Sequence, residues 1–204
     1  MQILVRPARQ EDPCVPLLYA SSKPYYDAYA GGEARALRLL HAVFRRPGHA
    51  ASYELCRVAE ADGAVIGVVA GFPVQQGDRL ARRFVALTLP RLPPWRWPGT
   101  LRHLRAAGTL TPPPPMQAYY VDARAVDPAW RRRGVARGLL AEAERVAARA
   151  GLRGVALDTG LANAPARALY SAYGFAERDL RRAADEKVAR AVGGPGFVSY
   201  FKAA

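Results

Sequence analysis

Cysteine is nearly absent from this chain of 204 residues, with Cys14 and Cys56 the only two. They make no disulfide framework and lack the paired spacing of a zinc site. Histidine is as sparse. His41, His49 and His103 are scattered, with no C-x-x-C or H-E-x-x-H arrangement, so neither a structural nor a catalytic metal is expected. No apolar run reaches the ~18 residues of a membrane span, and Met1 to Pro7 carry no long apolar segment, so no membrane partner is expected and a cytoplasmic protein is the default. Lysine is scarce too. Lys and Arg together number 30 against 17 Asp and Glu, a net charge of +13, and nearly all of the positive charge is arginine spread along the chain. Spread in that way it is weak support for a nucleic-acid partner, though anionic cofactors remain compatible with it.

Half the residues are hydrophobic, a globular composition, and the length suits one domain over residues 1–204. Ile3 to Arg6 reads as a strand stopped by Pro7. Asp12 to Ala20 reads as a helix with Asp12 as its cap and Pro13 at its first position. A break at Ser21 to Pro24 precedes the bunched Tyr25, Tyr26 and Tyr29. Glu33 to Arg45 places Ala36, Leu39, Leu40, Val43 and Phe44 on one helical face. Tyr53 to Phe72, turning at Asp62-Gly63, predicts a β-hairpin. Residues 74–116 form a proline-rich insertion with helical stretches at Asp78 to Leu87 and near Thr100 to Ala106. Thereafter strand and helix alternate: strand Ala118 to Val126, helix 135 to 150, strand Gly154 to Asp158, helix Ala164 to Tyr173, a strand from Gly174, and a last strand Phe197 to Lys202. An antiparallel beginning with a β-α-β-α-β finish predicts a mixed α/β sheet flanked by helices, the insertion lying between the third and fourth strands.

The most informative stretch is Val126-Asp127-Pro128-Ala129-Trp130-Arg131-Arg132-Arg133-Gly134-Val135-Ala136. A strand here feeds a turn onto a helix N-terminus, where unpaired N–H groups and the helix dipole favour an anion such as pyrophosphate. Gly134 and the small Ala136 permit close backbone approach, and the arginines add forked donors at the rim.

This run resembles the acetyl-CoA-binding signature of GNAT-type N-acetyltransferases, R/Q-x-x-G-x-G/A after a strand ending in Val-x-Pro. Arg131, Gly134 and Ala136 occupy its fixed positions. Asn163-Ala164-Pro165-Ala166-Arg167-Ala168-Leu169-Tyr170-Ser171-Ala172-Tyr173-Gly174-Phe175 is similar to the family's second signature, N-x-x-A-x-x-L-Y-x-x-x-G-F. Together they cover about residues 118 to 179.

The resemblance implies a GNAT-like, mostly antiparallel sheet and acetyl transfer from acetyl-CoA to an amine, by direct attack in a ternary complex and without a metal. It implies that the pyrophosphate sits on the backbone of Arg132, Arg133, Gly134, Val135, Ala136 and Arg137, beside Arg131. The pantetheine arm would run along the strand edge at Arg124, Ala125 and Val126, with Asn163 holding it from the other side. Tyr170 matches the tyrosine that protonates the leaving thiolate in many members. Asp122, on the first motif's strand, and Asp158, at the end of the next, stand where members carry a carboxylate base. Both are shorter than the usual glutamate, and water is the third option for the base.

Trp95-Arg96-Trp97 reads either as part of a lid over the acceptor site or as a stacking surface for nucleic acid or membrane; the lid is the preferred expectation. Tyr25, Tyr26 and Tyr29 read as acceptor-pocket or core aromatics. Two other functions fit the same fold: a non-catalytic CoA-sensing or nucleic-acid-binding module, and an acyltransferase using a longer acyl-CoA. The acceptor amine is left open, as is a homodimer.

Overall fold

The computed structural model describes residues 3–204. Seven strands form one sheet in the order β1-β2-β3-β4-β5-β7-β6. These are β1 (Leu4–Pro7), β2 (Cys56–Ala61), β3 (Ala64–Pro73), β4 (Tyr119–Val126), β5 (Gly154–Gly160), β6 (Ala176–Arg182) and β7 (Gly196–Ala203). Every neighbouring pair is antiparallel except β4 and β5. The expected mixed, mostly antiparallel sheet is therefore present, with the insertion between its third and fourth strands. The β2–β3 turn uses Asp62 and Gly63, both at positive φ (49° and 78°), which suits the right-handed twist of a two-residue hairpin.

The helices are α1 (Val15–Ser21), α2 (Lys23–Ala30), α3 (Glu33–Phe44), α4 (Gly77–Thr88), α5 (Trp97–Leu110), α6 (Val135–Arg149), α7 (Ala164–Tyr173) and α8 (Glu186–Val192). On one face of the sheet Leu18, Tyr26, Tyr29, Leu40 and Phe44 from α1 to α3 pack with Val58, Val68, Ala70 and Ala123. On the other, Val135, Leu139, Leu140, Ala143 and Ala147 of α6, with Tyr170 of α7, pack on Val69, Tyr119, Val121, Val155, Leu157 and Val198. Burying each large side chain of α6 contributes about 1.5–3 kcal/mol. Ala107 and Leu110 of α5 make a third cluster with Val192 of α8, flanked by Tyr25 and Phe197.

Four local readings are corrected. Asp12 does not cap the first helix, which starts at Val15 with Cys14 at the cap position and Pro16 in its first turn. The Asp12 carboxylate instead accepts from Arg6 (2.7 and 2.9 Å) and from the Arg9 N–H (2.7 Å), because a guanidinium on the adjacent strand competes for it. The tyrosine-rich stretch after Ser22 is the helix α2, with Pro24 in its first turn, where a missing N–H does no harm. The second insertion helix runs from Trp97 to Leu110 instead of ending near Ala106, and α8 appears where the sequence had suggested none.

Candidate active site

The parallel pair β4 and β5 is bonded only from Tyr119 to Val121 on β4 and from Val155 to Leu157 on β5. Beyond those residues the strands part, leaving the edge of β4 from Asp122 to Val126 without a partner on that side. At the same point β4 carries a bulge. Ala70 pairs with Ala123 while Gly71 pairs with Val121, so Asp122 is the extra residue. A bulge re-aims side chains and reverses which face they occupy. Accordingly Tyr119 and Val121 lie in the α6 cluster, Ala123 lies in the opposite one, and Val126 lies in the α6 cluster again. Gly71 is the residue that allows this crowding: a Cβ there would stand 2.6 Å from both the Tyr119 ring and the Tyr120 carbonyl.

The splay opens into a cavity of about 340 Å³. Its walls come from the α1–α2 junction (Ala20 to Tyr25), β4, β5 with the start of α7, and the segment Val192 to Phe197 between α8 and β7. Asp122 and Asp158 both line it, each one residue past the last bonded β4–β5 pair. Asp122 accepts from no donor among the described residues, while Asp158 accepts from the Tyr120 hydroxyl. Asp122 is exposed to solvent at the cavity, and Asp158 is half-buried. The protein packed around the cavity wall, helped by the charge of Asp158, pushes the Asp122 carboxyl up to about 7. Burial pushes Asp158 up to about 6, while the Tyr120 hydroxyl pulls the other way.

Tyr170 is 5% exposed, packed against Phe175 and Tyr200, and it also lines the cavity. The Arg124 guanidinium lies 5.1 Å over its ring and donates through Nη2 to its hydroxyl oxygen at 3.3 Å. The tyrosine's own proton is thereby left free to point elsewhere. The Arg124 Nε is buried without a partner. Asn163 caps α7: its Oδ1 accepts from the Ala166 N–H (3.3 Å) and its Nδ2 donates to Thr159 (3.1 Å). The side chain thus already has structural work, with one Nδ2 proton to spare.

Past the free edge of β4 lies the turn expected to bind an anion. Arg131 Nε donates back to the Val126 carbonyl at 3.3 Å, which folds the turn onto the strand end. Arg132 (φ 62°) and Gly134 (φ 81°) adopt left-handed backbone, strained for arginine and natural for glycine. The first backbone bond of α6 is Gly138 N–H to the Gly134 carbonyl, 3.0 Å. The N–H groups of Arg132, Arg133, Gly134, Val135, Ala136 and Arg137 have no acceptor among the described residues. A Cβ on Gly134 would meet nothing within 4 Å, so the backbone there faces open space. Arg133 stacks over Trp130 (5.1 Å) and Arg137 over Tyr173 (5.8 Å), which holds both arginines at the rim.

No residue of 74–116 lines the cavity. The insertion packs behind two of its walls: His103 of α5 hydrogen-bonds the Ala191 carbonyl through Nδ1 at 2.6 Å and meets the Tyr25 ring edge-on, 4.4 Å between ring centroids. Since a carbonyl only accepts, Nδ1 carries the proton, and burial holds the imidazole neutral by lowering its pKa. The Trp95-Arg96-Trp97 triplet is divided among three environments. Trp95 is 77% exposed, the Arg96 guanidinium packs against Gly31, and the Trp97 indole donates to the Leu92 carbonyl (3.1 Å). Of the three tyrosines on α2, Tyr25 lines the cavity, and Tyr26 and Tyr29 are core. The α8–β7 wall and the supporting Tyr120 and His103 were not foreseen. The run Gly193-Gly194-Pro195-Gly196 was the available signal, but it looks like any loop. Gly193 in fact closes against Pro24, which a Cβ would approach to 2.7 Å.

A model of the acetyltransferase (GNAT) family matches residues 17–175. No curated protein matches the chain in sequence. Among solved structures, an N-acetyltransferase from Staphylococcus aureus Mu50 is similar at 17% identity with a TM-score of 0.72, covering 98% of this chain and 100% of that one. A crystal structure of an acetyltransferase gives 20% identity and a TM-score of 0.69, covering 98% of both chains. An agmatine N-acetyltransferase variant in its apo form gives 18% identity and a TM-score of 0.62, with both chains covered in full. At such identities the likeness is one of fold.

Proposed function

We infer that this chain, which belongs to the acetyltransferase (GNAT) family, is an N-acetyltransferase moving an acetyl group from acetyl-CoA to a primary amine. The observation that carries the reading is the continuity of three features. Six backbone N–H groups without acceptors among the described residues lie next to a strand edge that likewise has no partner among them, and that edge leads to a buried tyrosine in a cavity.

In this reading the N–H groups of Arg132 to Arg137 hold the pyrophosphate, with the α6 dipole and the arginine rim adding charge complementarity. The pantetheine arm pairs with the β4 edge at Arg124 to Val126 as an added strand, and Asn163 contributes its spare Nδ2 proton from the α7 side. The thioester then lies at the splay, within reach of both Tyr170 and the carboxylates.

The acceptor arrives as an ammonium ion and loses a proton to Asp122, whose raised pKa suits it to accept one near neutrality. The amine lone pair attacks the acetyl carbonyl carbon, the C–N bond forms, and the C–S bond breaks. The thiolate takes the Tyr170 proton. The nitrogen's second proton replaces it, by way of water, and Asp122 returns its own to solvent. Arg124 holds Tyr170 in place and offsets the negative charge on its oxygen while the proton is away. Holding both reactants in one site supplies much of the acceleration.

The test is an acetyl-transfer screen over a broad amine and peptide panel, read as free-thiol release, with Tyr170→Phe alongside. Thiol release with at least one amine, strongly reduced in the variant, is the expected outcome. Release from no amine, by a protein that binds CoA, would leave a CoA-binding module instead.

A further inference from the structure

In a chain with so large an excess of arginine, many carboxylates find cationic partners. Asp12 and Glu60 hold Arg6, Glu142 is held by Arg145 and Arg149, Glu144 meets Lys202, and Glu177 meets Arg167. Asp122 and Asp158 do not. They stand together at the mouth of the strand splay, inside a cavity, and neither has a cation within 4 Å among the described residues. Two carboxylates that line one cavity, Asp158 half-buried and Asp122 open to solvent, repel each other and together favour a cation arriving from outside the chain.

Arg124, which lines the same cavity, does not serve as that cation. Its guanidinium is committed to the Tyr170 ring and hydroxyl, and its Nε is buried. The rest of the lining carries no charge: Ala20, Pro24, Tyr25, Val192 and Phe197 supply an apolar and aromatic wall, and Ser21, Ser22 and Thr159 add uncharged hydroxyls. No further acidic group stands along it to read a second cationic centre.

Resting on the proposed acetyl transfer, we propose that the acceptor is a primary amine that enters as a cation on an uncharged, apolar body, with no carboxylate near the reacting nitrogen. Asp158, anchored by Tyr120, holds the ammonium while Asp122 takes its proton. An α-carboxylate on the acceptor places a third negative charge beside the pair and is rejected, as a specificity device built on repulsion. A second ammonium group on the acceptor finds no further carboxylate in the lining to pair with.

Three matched probes test this: 2-phenylethylamine, phenylalanine (the same body with an α-carboxylate), and 1,4-diaminobutane. Turnover is measured with acetyl-CoA, and binding by calorimetry to the CoA-loaded protein. The expected kcat/KM for 2-phenylethylamine exceeds each of the others by about tenfold or more. Asp158→Asn, which keeps the shape and still accepts from Tyr120, raises the amine KM about tenfold and leaves the acetyl-CoA KM within about twofold. Asp158→Glu restores the preference for the carboxylate-free amine. Phenylalanine equal to or better than 2-phenylethylamine overturns the proposal and makes Arg124 the reader of an acceptor carboxylate. A preference for 1,4-diaminobutane overturns it in favour of a dication site. If no probe is acetylated, binding separates the two readings: selective binding of 2-phenylethylamine keeps this inference while acetyl transfer fails, and binding of none removes it.

Discussion

In the proposed acetyl transfer the site has a donor half and an acceptor half, and the two are made in different ways. The donor half, from β4 through the Arg-rich turn to α7, is built from local backbone geometry: a strand edge, a run of free N–H groups and a capped helix, all within 119–173. The acceptor half is assembled from the α1–α2 junction, a bulge residue on β4, the end of β5, and the Val192 to Phe197 segment, with α5 packed behind. A function carried by backbone leaves a compact signature in sequence, because few residue types give the required geometry. A function carried by packing among distant segments leaves none.

The comparison can be broken most severely at the residue where the halves meet. Tyr170→Phe is expected to lower kcat by about 10²–10⁴ while the acetyl-CoA KM stays within about twofold, measured by steady-state thiol release. An unchanged kcat would remove Tyr170 as the acid. Next is Asp122→Asn. With its carboxyl pushed up to about 7, wild-type kcat/KM for the amine should rise with pH through that value and level off above it. The variant should lose that rise and be about 10²-fold slower at pH 8. A pH profile identical to wild type would pass the base role to Asp158 or to water.

Gly134→Val tests the donor half by itself. It forces a branched residue into left-handed backbone and puts methyl groups into the space above the free N–H groups. A loss of about 10–100-fold in CoA affinity by calorimetry is expected, an anion contact weakened by roughly 1.4–2.7 kcal/mol, with the amine KM unmoved. His103→Leu tests the acceptor half. Removing the bond to the Ala191 carbonyl should cost about 1–3 kcal/mol of stability and raise the amine KM several-fold, with CoA affinity intact. If both variants shift both ligands equally, the halves are not separable.

The smallest effect concerns the empty protein. A carboxyl held at about 7 when folded and near its ordinary 3.8 when unfolded favours the folded state as long as it is protonated. That contribution is present below the unfolded value and is lost as pH rises through 7. Asp122→Asn should therefore raise the melting midpoint at pH 8 and leave it nearly unchanged at pH 4. A lower midpoint at pH 8 would mean that the carboxylate has a cation that the structure does not show.

Periodicity alone located most of the sheet and α3, α4, α6 and α7, because those segments bury one regular face. It did not reach α8, whose seven residues bury a single side chain, Val192. It assigned Asp12 to a cap because cap residues look alike in sequence, whereas the partner that decides the matter, Arg6, is on another element. In the candidate site, the turn at Arg132 to Arg137 and the helix opened by Asn163 stood where expected. Asp122 and Asp158 were named, but nothing in the sequence put them side by side. The insertion was expected above the cavity and lies behind it, because His103 and Tyr25 find each other only in three dimensions.

The bulge at Asp122 makes β4 a ruler whose count slips by one partway along. Odd residues face α6 before the slip, and Val126 faces it afterwards. Straightening the strand there without removing a residue would turn Ala123 toward α6 and Arg124 and Val126 away from it, with every side chain still in its place in the sequence. For anyone grafting a new acceptor wall onto this donor half, the join has to carry Gly71 with it, because the slip survives only where the facing strand leaves room for it.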